Sequence, residues 1–169
     1  MELTKTTKNI GVAVLTDILA LVFIYFVPAL THLFKIPLYY ADPMRIAIFS
    51  IFALTKKENV YIMAFSIPLL SFLISGHPVF PKFLIISLEL FINVFLIYRL
   101  SVIIKNKFII VLTSLILSKA VYYLIKYILI KLTVLETELI STPLYIQIIL
   151  MLVFSVILAF ILRRRKLQD

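Results

Sequence analysis

The chain has no cysteine among its 169 residues. Disulfides, thiol catalysis and thiolate metal sites are therefore excluded. It has no tryptophan and only 2 glycines, so anchoring at a membrane interface falls to its 9 tyrosines and 14 phenylalanines. Acidic residues are scarce, 8 against 17 lysines and arginines. The only histidines are His32 and His77, too few and too separated to suggest a paired-histidine metal motif. No Walker loop and no Ser–His–Asp arrangement occurs, so no catalytic residues, metal or cofactor are expected.

What is abundant is apolar sequence. Hydrophobic residues make up 63% of the chain, and its mean hydropathy is +1.15. Soluble domains are roughly half apolar. A chain this short has no core large enough to hide the excess, so it reads as one membrane domain over residues 1–169. The net charge of +9 does not point to nucleic acid. Arg163, Arg164, Arg165 and Lys166 directly follow an apolar run, as cytoplasmic stop signals do. A nucleic-acid groove needs a basic soluble surface, and no segment supplies one.

A spanning helix takes about 20 apolar residues. Six segments qualify: 10–34, 37–54, 59–75, 82–98, 108–130 and 143–162. The stretch before the first, Met1 to Asn9, is short and polar. The apolar run from Ile10 is too long for a signal-peptide core, so it is expected to stay as the first span. The second segment is the weakest, broken by Asp42, Pro43 and Arg45, and a five-span chain with a re-entrant second segment is the rival. The fold class expected is an all-α integral membrane bundle of about six transmembrane helices.

Positive charge sets its orientation. One set of ends carries Lys5, Lys8, Lys56, Lys57, Arg99, Lys105, Lys107 and the tail from Arg163 to Lys166. The other carries Lys35, Lys82 and Lys131, with Arg45 just inside a span. The basic set belongs in the cytoplasm, which puts both termini there.

Several ionisable groups interrupt the apolar runs. A charge in the hydrocarbon core costs a few kcal/mol or more, so one kept there faces the bundle interior or serves a site. Glu89 and Asn93 lie at i and i+4 on the fourth segment. Lys119, Tyr123 and Lys126 lie at i, i+4 and i+7 on the fifth. Glu89 reads either as the partner of Lys119 or Lys126 across the bundle or as a ligand contact. Lys126 reads either as snorkelling to outer headgroups or as part of a site. Asp42 and Arg45 read as a local interfacial pair. Asp17 has no partner evident in sequence, which leaves an inter-subunit contact or a buried hydrogen bond. The loop Gly76-His77-Pro78-Val79-Phe80-Pro81 is stiff, either a tight turn or the wall of a site with His77 as a polar contact. The candidate substrate-binding residues are therefore Glu89, Asn93, Lys119, Tyr123, Lys126, His77 and Arg45. Gly11, Ala13, Thr16 and Ala20 put small side chains on the first segment, for packing within the chain or for docking to another membrane protein.

This pattern resembles the substrate-binding S components of energy-coupling factor (ECF) vitamin transporters. The local likeness rests on Pro28-Ala-Leu-Thr-His32, on Ser66-Ile-Pro68-Leu-Leu-Ser71, on Gly76-His77-Pro78, and on Glu89 in the next segment. The resemblance implies about six spans, a plasma-membrane location in a prokaryote, and capture of a vitamin or similar small polar solute from outside. It implies docking through small residues of the first helix onto a membrane coupling subunit driven by two ATPase subunits. The family's docking motif has two alanines four apart; here Ala13 is followed four residues on by Asp17. The alternative class is a small polytopic scaffold of the MreD type, which needs neither a ligand nor a buried Lys119.

Overall fold

The structure is a computed structural model that describes residues 2–35 and 37–164, with side chains for 10–35 and 37–163. Met1 and the tail residues Arg165 and Lys166 lie outside the described residues, as do the side chains of Lys5, Lys8 and Arg164. Every regular element among the described residues is helical. They are α1 (Glu2–Phe34), a 3₁₀ turn (Leu38–Ala41), α2 (Pro43–Leu54), α3 (Lys57–Ser75), α4 (Lys82–Ile103), α5 (Lys107–Lys131) and α6 (Leu144–Arg164). The chain is a multi-pass membrane protein: α1 from Ile10, α3, α4, α5 and α6 are long and apolar enough to cross a bilayer.

The second segment departs from expectation. Residues 37–54 do not form one span. Pro37 precedes the 3₁₀ turn, Asp42 takes a left-handed backbone (φ 52), and only 12 residues remain for α2. At 1.5 Å per residue α2 is about 18 Å long, against about 30 Å of hydrocarbon. Its start is well specified: Pro43 occupies the first turn, and the Asp42 carboxylate accepts the Arg45 N–H at 3.4 Å. Elsewhere the boundaries follow local chemistry. Gly76 (φ 69) ends α3, its N–H donating to Phe72 O at 2.9 Å, in a conformation glycine adopts without cost. The Asn106 side chain caps α5 by accepting from Phe108 N and Ile109 N.

α4 is the central helix, packed on α3 and α5; α6 lies against α5, and α1 packs on α2 and α3. The apolar core includes Ile48, Ile51, Phe52, Val60, Ile67, Val94, Ile97, Ile110, Leu115 and Leu158. It fills the half of the bundle toward Lys57 and Arg99, where Phe52 stacks on Tyr98 and the Lys57 ammonium lies 5.1 Å from the Tyr98 ring. The outer faces of the helices expose Leu15, Leu19, Phe23, Phe65, Phe95, Leu124, Ile148 and many others, as lipid contact requires.

The small-residue face of α1 is turned inward. Thr16 (8% exposed) and Ala20 (7% exposed) are buried in the bundle, Ala13 is half-buried, and of the four only Gly11 is exposed. Ala20 belongs to the core of the chain itself, which accords with packing within the chain, the other reading of these small residues. Asp17 is also satisfied internally, accepting from Asn59 Nδ2 at 2.8 Å.

Candidate functional site

At the bundle end opposite the basic loops, packing gives way to a cavity of about 540 Å³. That lies within the range of small-molecule sites, about 300–1,000 Å³. Its walls come from the last turns of α1, the 3₁₀ turn, the starts of α2 and α4, the ends of α3 and α5, and the first half of α6.

Helix register explains the charged wall. Arg45 sits in the first turn of α2, Glu89 two turns into α4, and Lys119 three turns before the end of α5. All three reach one layer. The Arg45 guanidinium donates from Nη2 to Glu89 Oε1, and Lys119 Nζ pairs with the same oxygen at 3.1 Å. Arg45 Nη1 also pairs with Asp42 Oδ2 at 3.3 Å. The result is an alternating series, Asp42–Arg45–Glu89–Lys119, with Arg45 (2% exposed) and Glu89 (4% exposed) buried. Burial pushes the Asp42 carboxyl upward, but Arg45, Lys119 and the Arg45 N–H together hold it below the usual carboxylate range. Arg45 Nε is buried without a partner among the described residues.

Lys126 takes a different course. It is 1% exposed and does not snorkel. Its ammonium donates to Leu139 O at 2.9 Å and Ser141 Oγ at 3.0 Å, tying α5 to the loop before α6. The Tyr122 ring lies between the two lysines, 5.2 Å from Lys119 Nζ and 5.9 Å from Lys126 Nζ. Tyr123 donates its hydroxyl to Gln147 Oε1 at 2.7 Å, and Gln147 Nε2 donates to Thr142 O at 2.7 Å.

The loop 76–81 is anchored by its backbone. Ser71 Oγ and Ser75 Oγ donate to His77 O at 2.6 and 3.3 Å, and the peptides before Pro78 and Pro81 are cis. The His77 side chain is exposed and borders the cavity.

Six of the seven residues singled out by sequence therefore line one cavity: Arg45, His77, Glu89, Lys119, Tyr123 and Lys126. Asn93 does not. Being i+4 from Glu89 places it one turn deeper, in the core, where its Nδ2 donates to Ser114 Oγ at 3.2 Å. The paired reading of Glu89 is also made definite: its lysine partner is Lys119, and Arg45 joins it.

Sequence reasoning missed Lys82, Tyr122, Gln147 and the Ser71–Ser75 pair, all of which line the cavity. Gln147 was detectable as the one amide inside an otherwise apolar run, and Ser71 and Ser75 as an i, i+4 pair on one face. Lys82 carries no such signal, because a lysine at a helix start reads as an interfacial charge. No protein family, curated protein or solved structure matches the chain.

Proposed function

We propose that this chain is a membrane-embedded solute-binding subunit of an uptake system, of the kind the ECF S components represent. The observation that supports the reading best is the cavity itself, with Arg45, Glu89 and Lys119 arranged in its wall. Buried charges are costly in a bilayer and are weak contributors to stability even when paired. A scaffold gains nothing by holding them around a cavity, whereas a binder gains recognition.

In this reading the cavity faces outward, since the basic loops lie at the far end of the bundle. The protein captures a small polar solute in the plasma membrane of a prokaryote. Having no nucleotide motif of its own, it relies on a coupling subunit and two ATPase subunits for transport.

Purification of the full chain in mild detergent, followed by denaturation and mass spectrometry of the released small molecules, tests the reading. A stoichiometric small polar compound is expected. A chain that carries none and whose melting temperature responds to no solute belongs with the scaffold alternative.

A further inference from the structure

The cavity has an unequal charge balance and an unequal wall. Four cations line it, Arg45, Lys82, Lys119 and Lys126, against two carboxylates, Asp42 and Glu89. Both carboxylates are already engaged by Arg45 and Lys119. Lys82 and Lys126 form no ion pair among the described residues. Glu138, on the loop nearby, is exposed and does not pair with Lys126.

Lys126 is the more telling of the two. An ammonium has three N–H donors. Two are spent on neutral acceptors, Leu139 O and Ser141 Oγ, so no carboxylate pairs directly with the charge. A buried ammonium without a direct ion-pair partner is expensive, and an anion in the cavity that this side chain lines would supply one. Lys82, at the start of α4, lines the same cavity.

The deeper part of the wall contributed by α1 and α6 is of another kind, their polar Thr31, His32 and Gln147 lying within a turn of the helix ends. Ile24 and Val27 of α1, with Leu150, Met151 and Phe154 of α6, line the cavity without a polar side chain among them. These residues lie two to three turns below the ends of their helices, deeper than Lys82 and Lys126. A purely polar ion would leave that wall unfilled, and a cation would meet two lysines that have no ion-pair partner.

We infer that the solute is an amphipathic anion: an acidic group, carboxylate or phosphate, received by Lys126 and Lys82, joined to an apolar body that packs against the α1–α6 wall. This rests on the solute-binding reading above and narrows it to one chemical class.

Melting of the full chain in detergent, titrated with phenylacetate, phenyl phosphate, inorganic phosphate and phenethylamine, tests the class. Phenylacetate or phenyl phosphate raises the melting temperature in a saturable way; inorganic phosphate acts at least tenfold more weakly, and phenethylamine does not act. Lys126→Met weakens the response at least tenfold, about 1.4 kcal/mol, while Lys126→Arg retains more of it than Met. Lys82→Met weakens it independently, which covers a failure of Lys126→Met to fold. Lys105→Met, at the far end, leaves it unchanged. Phenethylamine acting as well as the acids, or both methionine variants keeping the full response, overturns the inference. If no probe acts but the purified chain retains a neutral or cationic compound, this inference fails and solute binding stands. No response and no retained compound defeats both.

Discussion

Glu89 is the residue on which the charged wall turns, because one of its oxygens receives both Arg45 and Lys119. Removing its charge leaves a buried guanidinium with only Asp42 for compensation. Breaking a buried pair from one side costs about 3–5 kcal/mol, since the other charge stays buried. Glu89→Gln is therefore expected to lower the melting temperature markedly in the absence of solute. Lys119→Met should cost much less: Lys119 is partly exposed, and Arg45 continues to neutralise Glu89. Equal losses in the two variants would show that Glu89 is not the hub. At this scale the sequence was informative wherever a charge interrupted an apolar run. Arg45, Glu89, Lys119 and Lys126 were all found that way and share one cavity. Asn93 failed for a geometric reason: spacing identifies a helix face but not how deep a cavity extends along it. Lys82 failed because its significance comes from the absence of a carboxylate partner, which only the packed structure reveals.

Among the elements, α2 departs most from its sequence. Hydropathy counted residues 37–54 as a span, yet Pro37, Asp42 and Pro43 divide them into a 3₁₀ turn and a 12-residue helix. The Asn59–Asp17 hydrogen bond shows how so short a helix is accommodated. It fixes the α2–α3 turn at the level of Asp17, seven residues into the apolar part of α1, or about 10 Å. Lys56, exposed beside that turn, has a stem long enough to carry its charge toward water. Asp42 starts α2 through its carboxylate and its left-handed backbone, both of which asparagine also supplies. Asp42→Asn should lose the Arg45 ion pair but keep the cap, whereas Asp42→Ala should lose both and add backbone strain. Alanine is expected to cost about 1–2 kcal/mol more than asparagine in thermal or chemical unfolding. Equal costs would mean that the cap contributes nothing. On α1, Ala20→Trp should destabilise the isolated chain by overpacking the core, while Leu19→Trp, on the exposed face, should be tolerated. The reverse order would return the small-residue face to the surface.

For the whole molecule, the decisive asymmetry is between its two ends. Lys56, Lys57, Arg99, Lys105, Lys107 and Arg163 gather at one, and the cavity lies at the other. This division was legible in sequence, because loop charge does not depend on packing. The cavity was not, because its volume arises only when α1 and α6 wall a space that α4 and α5 leave unfilled. Short as it is, α2 still carries the chain from the cavity end at Asp42 to the basic end at Lys56, so the count of reversals stays even. The positive-inside rule then predicts a bundle with its basic end in the cytoplasm and the cavity outward. The chain's lack of cysteine gives a clean background for a direct check. Single cysteines at His77 and Glu136, both exposed near the cavity end, should react with an impermeant maleimide in intact cells. One at Lys105 should react only after permeabilisation. Labelling of position 105 alone in intact cells would turn the molecule over. An outward-facing solute site would then be untenable, because the cavity and the basic loops cannot exchange sides without inverting every helix between them.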